Sequence, residues 1–468
     1  MAESGFAASY EDDVEREVEG LGSQKTTGGG VDLRDWLWSS IDNRESRDLD
    51  QIEYAERAAN GDIRLWIGIA DVDALVGKGS AIDRHAAHNT TSVYTGVDIF
   101  PMLPEALSTD RTSLLDGQDR LAMVGEFLVN ESGDVGTVGF YPALVRNHAK
   151  LDYDSVGDWL EGDGPIPEKV AGTPDLEKQL MLQDEAMERL YHHREKCGAL
   201  NFETIEARVV LTDGKVTDLD VPHKNRARAL IENFMIAANT AQATFLADHD
   251  RLTIQRIVRE PERWPRIVDL ALQYGFRLPE KPDARSLSTF LDKRREADPI
   301  RFPDLSLSIV KLMGPGEYVV VRPGEEHFGH FGLAVTNYTH STAPNRRFPD
   351  LVTQRILKSV LSKQPAPYSA EELEQIAANC TEREDAARKV ERRMRKAAAA
   401  VLLADRIGER FEAIVTGAGP KGTYVRVLKP PVEGRVMRGE RGMDVGDRVF
   451  VRLVGANPER GFIDFERA

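Results

Sequence analysis

The order of apolar and polar positions divides the chain into a β-rich first part, a helical middle and a β-rich end. From Asp32 to about Asn147, short apolar and β-branched runs such as Arg64-Leu65-Trp66-Ile67-Gly68-Ile69-Ala70 alternate with turn residues, which predicts strands. The first 31 residues end in Thr26-Thr27-Gly28-Gly29-Gly30 and predict a partly helical lead followed by a flexible joint.

Helical spacing dominates the middle of the chain. Thr173-Pro174-Asp175 predicts a cap with proline at the first helical position, ahead of a helix over residues 176–195. Ser369-Ala370-Glu371-Glu372 has the pattern of a capping box and predicts a helix that runs towards Arg406, with Cys380 as the candidate point for a break. Further amphipathic helices are predicted over residues 223–248 and 261–274.

The residues after Ile407 predict a second, smaller unit. Alternating runs at residues 411–416, 423–427, 448–453 and 462–465, joined by Gly-rich turns, indicate a five-stranded barrel of the OB kind. Gly417-Ala418-Gly419-Pro420-Lys421-Gly422 matches a dinucleotide fingerprint, but a strand-like run follows where that fingerprint needs a helix, so we interpret it as a barrel loop. The predicted fold class is α+β, with segments at 1–31, 32–406 and 407–468.

Composition and charge narrow the class of protein. Of the 468 residues, 41% are hydrophobic and 29% are charged, which is typical of a soluble globular protein. No run is apolar and long enough to span a bilayer and no secretory signal is visible, so we expect a cytoplasmic protein without a membrane partner. Cys197 and Cys380 are the only cysteines, so no disulfide partner is expected.

The net charge of −16 is unevenly distributed along the chain. From Glu382 to Ala468 there are 19 Lys or Arg against 14 Asp or Glu, whereas the first thirty residues carry seven acids and two bases. The net charge of a protein does not determine the electrostatic field at one part of its surface. A nucleic-acid-binding surface near the C-terminus is therefore compatible with the acidic composition.

The most informative motif is the acidic segment Asp42-Asn43-Arg44-Glu45-Ser46-Arg47-Asp48-Leu49-Asp50. Asp48 and Asp50 are two positions apart, so in an extended chain their carboxylates share a face, and the intervening loop can return Asp42 to them. Clustered carboxylates repel one another unless a cation neutralises them, and hard oxygen ligands suit Mg²⁺ or Mn²⁺. Two such ions can hold the attacking and leaving oxygens of a phosphoryl transfer.

Two other interpretations of this segment stay open from its residues alone. It could be a solvated charged loop. It could also be a calcium loop of the EF-hand type, although Arg44 and Arg47 stand at the positions where that loop needs a ligand and a glycine. The residues that would fit the calcium loop are Asp42, Ser46, Asp48, Asp50 and Glu53.

Two later motifs also carry chemistry. Thr342-Ala343-Pro344-Asn345-Arg346-Arg347-Phe348-Pro349-Asp350 places two arginines in a proline-bracketed turn, where a guanidinium can grip a phosphate in a bidentate manner or remain solvated. His327 and His330 are three positions apart with no third ligand nearby, so a structural role is favoured over a zinc site.

Together these motifs resemble the ribonuclease II and ribonuclease R family, whose catalytic part is called the RNB domain. The acidic segment matches the family's aspartate pattern, and the tail after Ile407 resembles an S1 RNA-binding domain. Further stretches match in order along the chain: Ile69-Ala70-Asp71-Val72, Thr91-Ser92-Val93-Tyr94, Pro101-Met102-Leu103-Pro104-Glu105-Ala106-Leu107-Ser108, Ile231-Glu232-Asn233-Phe234-Met235-Ile236-Ala237-Ala238-Asn239, His330-Phe331-Gly332-Leu333, Tyr338-Thr339-His340 and the arginine turn.

The resemblance implies a hydrolytic exoribonuclease that degrades RNA processively from its 3′ end to nucleoside 5′-monophosphates. It implies that Asp42, Asp48 and Asp50 bind Mg²⁺, with Mn²⁺ as a substitute, and that Asp48, Asp50 and Arg346 are catalytic. Tyr94 is expected to pack against the 3′-terminal nucleotide. Further RNA contacts are expected at Arg346, Arg347, Phe202, Lys421, Tyr424 and Arg426.

Three departures from the family pattern modify these expectations. Gln51 stands where the family has a fourth aspartate; its amide oxygen can ligate a metal but carries no charge, so metal binding should be weaker or different. Val209 stands where some members have a clamping phenylalanine, for which Phe202 is the candidate substitute. Longer members carry cold-shock barrels ahead of the catalytic domain, whereas about 31 residues precede it here. This predicts access for single-stranded 3′ ends and for duplexes with a 3′ overhang.

Two other functions are compatible with the sequence. A chain that has lost catalysis at Gln51 would bind RNA without turnover, and Gln51→Asp would then raise activity sharply. Endonucleolytic cleavage would release internal fragments from circular RNA, and the resemblance disfavours it.

Overall fold

The computed structural model describes residues 1–21, 30–205, 207–221, 224–325, 328–419 and 422–468. Of the predicted joint at residues 26–30, only Gly30 is among them. The strands are β1 Val31–Asp32, β2 Trp38–Asp42, β3 Gln51–Arg57, β4 Ile63–Ala70, β5 Val93–Tyr94, β6 Ile99–Phe100, β7 Asp119–Val129, β8 Val135–Asp152, β9 Arg208–Thr212, β10 Lys215–Asp220, β11 Thr253–Ile257, β12 Glu317–Val321, β13 Arg410–Gly419, β14 Gly422–Val427, β15 Glu433–Arg438, β16 Arg448–Asn457 and β17 Phe462–Arg467.

The helices lie mainly between the two β-rich parts. They are α1 Asp12–Gly20, α2 Ala81–Asn89, α3 Tyr153–Glu161, α4 Glu168–Gly172, α5 Leu176–Cys197, α6 Arg226–Asp248, α7 Trp264–Gln273, α8 Ala284–Ala297, α9 Phe302–Met313, α10 Phe348–Leu361 and α11 Ala370–Leu403. Within the described ranges, no helix combines the length and the apolar character needed to cross a membrane.

The β-rich first part of the chain forms one six-stranded sheet in the order β1-β8-β2-β3-β4-β7. β8 has 18 residues; much of it pairs with β7 and its end pairs with β2, so the sheet turns back on itself. The prediction of short strands is therefore wrong for β7 and β8, where alternate residues stay buried along one long strand. β3 lies between β2 and β4, and its consecutive residues Gln51, Ile52 and Glu53 are all buried, so both faces of the strand are covered there.

The helix boundaries agree with the predictions at α11 and differ at α5. The capping box at α11 is confirmed, because Ser369 Oγ accepts from the Glu372 N–H and the Glu372 carboxylate accepts from the Ser369 N–H. This helix continues unbroken through Cys380, so no break occurs there. At α5 the prediction of proline at the first helical position is wrong: Asp175 is the N-cap with φ of 61°, which leaves Pro174 before the helix.

The end of the chain forms a closed barrel in the order β13-β14-β15-β17-β16, which confirms the predicted five-stranded architecture and the α+β class. Residues 417–419 belong to β13 and Gly422 begins β14, so a strand follows the glycine-rich segment as predicted, whereas the loop prediction is wrong for these four residues. Pro420 and Lys421 lie outside the described residues. The sequence pattern missed β15. A side chain at Gly434 in that strand would lie 2.4 Å from the Phe465 ring, so close packing places a glycine where strand patterns expect an apolar residue.

A buried ion pair docks the barrel against the helices of the larger unit. Arg426 on β14 donates to both carboxylate oxygens of Asp304 on α9, at 2.6 and 3.1 Å, and both side chains are 7% exposed. The end of α11 adds Ala400 and Leu403 to the apolar core of the barrel. Arg426 is thus occupied inside the molecule, which makes it unsuited to the RNA contact predicted for it while the barrel stays docked.

Removing one partner of this pair should destabilise the protein. Arg426→Met is expected to lower the free energy of unfolding by about 3 kcal/mol, because Asp304 would stay buried without its counter-charge. Urea unfolding followed by tryptophan fluorescence measures the change. Adding Asp304→Leu removes both charges and should recover most of the loss. Equal losses in the single and the double variant would contradict the pairing.

Candidate active site

The acidic segment forms the floor of a cavity at the junction of β2 and β3. Asp42 ends β2 and Asp50 immediately precedes β3. The Asp50 side chain is 2% exposed, and its Oδ1 accepts a hydrogen bond from the backbone N–H of Asn345 at 2.9 Å. Its Oδ2 lies 3.4 Å from Nε of Arg346 and has no hydrogen-bond partner among the described residues. A buried aspartate and a partly exposed guanidinium are therefore paired at the site, and Asp50 Oδ2 can still accept from or bind a further group.

The loop between Asp42 and Asp50 is held in place by the protein. Ser113 Oγ accepts from the Leu49 N–H and donates to the Arg47 carbonyl oxygen, at 2.9 and 2.6 Å. Ser46 Oγ donates to Asp42 Oδ1 at 2.8 Å. The solvated-loop interpretation is therefore wrong for Leu49 and Asp50, which are buried, whereas Arg44, Glu45 and Arg47 are exposed. The EF-hand interpretation is wrong as well, because strands flank the segment where that motif requires helices.

Backbone contacts explain how residues far apart in sequence reach the same site. The Ser92 N–H donates to the carbonyl oxygen of Arg346 at 2.9 Å, which fixes the arginine turn beside the start of β5. At the end of β5, the Tyr94 hydroxyl donates to Asp48 Oδ2 at 3.0 Å. Asp48, Tyr94 and Arg346 are thereby brought together, as the three motifs predict.

The long helix α6 is hydrogen-bonded to the segment that precedes the arginine turn, residues 342–350. Asn239, the last residue of the helix signature, accepts hydrogen bonds from the backbone N–H and the Oγ–H of Ser341, at 2.9 and 2.8 Å. The Ala343 N–H donates to Asp350 Oδ1 at 2.8 Å. These bonds connect the helix signature to the late signature and set the backbone on which Arg346 stands.

The carboxylates of the site have too few positively charged neighbours to balance their charge. Burial raises the pKa of Asp50 to about 7, although Arg346 and the Asn345 N–H act in the opposite direction. Burial also raises the pKa of Asp42. The pKa of Glu53 on β3 lies well above its usual range because the side chain is fully buried and Asp42 repels its charge. Arg346 thus offsets only part of the negative charge.

A divalent cation fits this donor set. Within the described parts of the chain, no three His, Cys, Asp or Glu side chains converge as a ready-made metal site. Mg²⁺ does not need one, since it keeps several waters and is commonly held by one or two carboxylates plus substrate phosphates. Asp50 Oδ2 and both Glu53 oxygens are buried without hydrogen-bond partners, and such oxygens are the ligands that hard cations bind.

A cavity of about 1010 Å³ leads from the acidic loop to the surface. Asp48 and Tyr94 lie in its wall, and the Tyr94 side chain is 38% exposed. Val209 and Leu211 on β9 also line it, so the wall contributed by β9 is aliphatic. Glu391 and Arg395 of α11 add charged groups. The lining therefore combines aromatic, aliphatic and charged side chains.

The predicted RNA-binding residues fall into different environments. Arg346 has a 44% exposed side chain, and Tyr424 on the barrel surface is 41% exposed, so both are accessible. Arg347 donates to Asp350 at 2.7 Å, inside the turn, so its guanidinium already has a protein partner, and its RNA contact stays a prediction. Phe202 packs on the apolar cluster of α7, α8 and α9, and this position does not suit the base clamp predicted for it. Lys421 lies outside the described residues.

The histidine motif has a structural place. His330 Nδ1 accepts from the Leu333 N–H at 3.1 Å and caps a short 3₁₀ turn. His327 lies outside the described residues.

Two residues near the site have no role in the ribonuclease site predicted from the sequence. Glu53 is one, since it was named only as a ligand in the calcium-loop alternative, and Tyr153 is the other. Asp152, the residue before Tyr153, pairs in register with Asp42 on the neighbouring strand, and Arg228 lies over the Tyr153 ring at 4.4 Å. Burial, followed by the charges of Asp42 and Glu53, raises the pKa of Tyr153. Neither residue lies in a stretch that matches the family pattern. Only the pairing of β8 with β2 could have indicated Tyr153.

Comparisons with known proteins identify two conserved units. The RNB domain family matches residues 31–363, and the C-terminal S1 domain of RNase II-type exonucleases matches residues 409–468. Ribonuclease R of Escherichia coli is 31% identical over 97% of this chain and 59% of its own length. Ribonuclease R of Thermotoga maritima is 31% identical over 97% of this chain and 68% of its own length. The chain thus spans about three-fifths of the E. coli relative.

A solved structure supports the same fold. Mycoplasma genitalium RNase R in complex with ribose-methylated single-stranded RNA superposes with a TM-score of 0.88 at 22% identity, over 100% of this chain and 77% of that protein. At this identity the likeness concerns the fold.

Proposed function

Because this chain belongs to the RNB family of ribonucleases, we propose that it hydrolyses RNA one nucleotide at a time from a single-stranded 3′ end. The observation that carries the proposal is the buried Asp50 facing Arg346, beside the Tyr94–Asp48 contact at the floor of the cavity. Catalysis belongs to residues 32–406 and docking of RNA to the barrel at residues 407–468, with the boundaries predicted from the sequence.

The residues of the site divide the chemistry between them. Asp42, Asp50 and the amide oxygen of Gln51 would hold Mg²⁺, with Mn²⁺ as a substitute. When bound, such an ion supplies positive charge to the phosphate and lowers the pKa of a coordinated water. Arg346 lies beside Asp50 with a 44% exposed side chain and would bind the non-bridging phosphate oxygens, whose charge grows in the transition state. Attack by water breaks the bond between phosphorus and the preceding 3′ oxygen, which releases a nucleoside 5′-monophosphate.

Tyr94 would orient the terminal nucleotide. Its ring stands in the cavity wall while its hydroxyl is held by Asp48, so the face of the ring is available to a base. Stacking on an aromatic ring tolerates any base, which agrees with an enzyme that removes nucleotides successively. Successive removal without release of the strand gives processive degradation.

The products of a defined RNA test this function. Single-stranded RNA labelled at its 5′ end should shorten stepwise in Mg²⁺ and release 5′-monophosphates, and EDTA should stop the reaction. Circular RNA of the same sequence should persist. Binding without products, or internal fragments from the circle, would contradict the proposal. A duplex with a 3′ overhang tests the second substrate class predicted from the sequence.

Tyr94→Ala should weaken binding of a short single-stranded RNA by about 1–3 kcal/mol, because it removes a stacking surface. Tyr94→Phe keeps the ring and removes only the hydroxyl that contacts Asp48, so its affinity should stay close to that of the parent. Fluorescence anisotropy in Ca²⁺ or EDTA measures binding without turnover. Equal losses in both variants would assign the effect to the hydroxyl rather than to stacking.

A further inference from the structure

Glu53 is a buried carboxylate that the proposed mechanism leaves without a role. It lies in the middle of three buried strands and is 0% exposed. Neither Oε1 nor Oε2 has a hydrogen-bond partner among the described residues. A buried polar group without a partner costs about 1–3 kcal/mol, and a charge costs more, so a purely structural explanation leaves this cost without compensation.

The surroundings of Glu53 contain further unpaired polar atoms. Ser39 on β2 is its register partner, so the two side chains are direct cross-strand neighbours, and Ser39 Oγ also lacks a hydrogen-bond partner in the described structure. Asp42 ends the same strand and lies close enough to repel the charge of Glu53. Glu53 and Ser39 thus contribute three buried oxygen atoms that no donor of the described residues satisfies.

Glu53 also shares a strand face with Gln51. The two are separated by one residue on β3, and alternate side chains of a strand point to the same side. Cα atoms two residues apart in a strand are separated by about 6.5 Å, and a glutamate side chain is long enough to cover much of this distance. The carboxylate of Glu53 can therefore approach the place where the side chain of residue 51 ends.

We propose that Glu53 provides the carboxylate that Gln51 lacks, and that Asp42 and Glu53 together hold the divalent cation of the site. The inference rests on the proposed function. It restores the number of four carboxylates that the family pattern has, with the fourth moved two residues along the strand. Asp50 is then shared between Arg346 and the cation, and Glu53 adds the negative charge that the Gln51 amide lacks.

Binding of Mn²⁺ in the absence of RNA tests this assignment directly. Electron paramagnetic resonance of free Mn²⁺ gives the affinity of the protein without any catalytic step. Glu53→Gln keeps the size of the side chain and removes its charge, so it should weaken Mn²⁺ binding by about tenfold or more. Glu56→Gln is the matched control: Glu56 is exposed on the same strand and accepts a hydrogen bond from Tyr54, so its replacement should leave the affinity unchanged.

A double-mutant cycle between positions 51 and 53 gives a second measurement of Mn²⁺ affinity. Its result does not depend on the folding of one variant alone. If Glu53 already provides the charge, Gln51→Asp alone should change Mn²⁺ affinity by less than about threefold, whereas the same change in the E53Q background should restore most of the loss. A gain of tenfold or more from Gln51→Asp alone would overturn the proposal. Unchanged affinity in Glu53→Gln would overturn it as well and would make Glu53 a neutral buried acid.

The measurements distinguish a failure of the role of Glu53 from a failure of the proposed exoribonuclease function. If the parent binds Mn²⁺ and releases monophosphates but Glu53→Gln binds Mn²⁺ equally well, only the role of Glu53 is wrong. If the parent neither binds Mn²⁺ nor degrades RNA, the proposed function fails, and the role of Glu53 fails with it.

Discussion

Asp50→Asn is expected to reduce RNA hydrolysis by about a thousandfold or more while single-stranded RNA still binds. The replacement keeps an oxygen that can accept from the Asn345 N–H. The new amide then points its N–H groups towards Nε of Arg346, which lies 3.4 Å from the present Oδ2. Two donors would face each other where a negative charge now stands, so both the arginine and the cation lose their counter-charge.

Single-turnover cleavage of 5′-labelled RNA at saturating protein measures this loss apart from binding. Asp35→Asn, a change of the same type at an exposed position of the same domain, is the control and should retain full activity. Thermal unfolding should show that the Asp50 variant remains folded, because the Arg346 side chain is 44% exposed and stays solvated when it loses its counter-charge. Activity within tenfold of the parent would exclude Asp50 from the catalytic centre.

The motif residues that meet in the site could be identified from the sequence because their types match a family pattern. Asp42, Asp48, Asp50, Tyr94 and Arg346 are spread over some 300 residues, and no periodicity places them together. Their convergence depends on backbone bonds such as that between Ser92 and Arg346, which are formed only in the folded protein.

The sequence was a poor guide to which charged residues are buried. Arg347 and Arg426 occur in contexts that suit RNA contacts, yet each has a buried aspartate, Asp350 or Asp304, as its partner. Those partners are selected by tertiary packing, so an isolated motif cannot show them. Glu53 shows the same difficulty for an acidic residue. An acid at an alternate strand position is expected to face solvent, but both faces of β3 are buried at this point.

Replacement of Arg346 tests the positively charged partner of Asp50 in the catalytic centre. Arg346→Lys keeps the positive charge but loses the planar fork, which can bind two phosphate oxygens at once. A lysine ammonium is a single point charge on a flexible chain, and it would also lose the contact of Nε with Asp50. We therefore expect hydrolysis to slow by about a hundredfold to a thousandfold, since the guanidinium stabilises charge that develops in the transition state.

The kinetic pattern of Arg346→Lys distinguishes this role from simple attraction of RNA. If the guanidinium acts on the transition state, kcat falls and KM changes little, and raising the RNA concentration does not restore the rate. If it only attracts phosphate, KM rises and kcat stays near that of the parent. Arg44→Lys is the matched control, because Arg44 belongs to the acidic loop with a side chain that is 79% exposed, and its charge alone contributes to attraction. A fall in kcat confined to Arg346→Lys would tie the reaction to the guanidinium that faces Asp50, whereas equal effects in both variants would reduce Arg346 to one of many positive charges around the cavity.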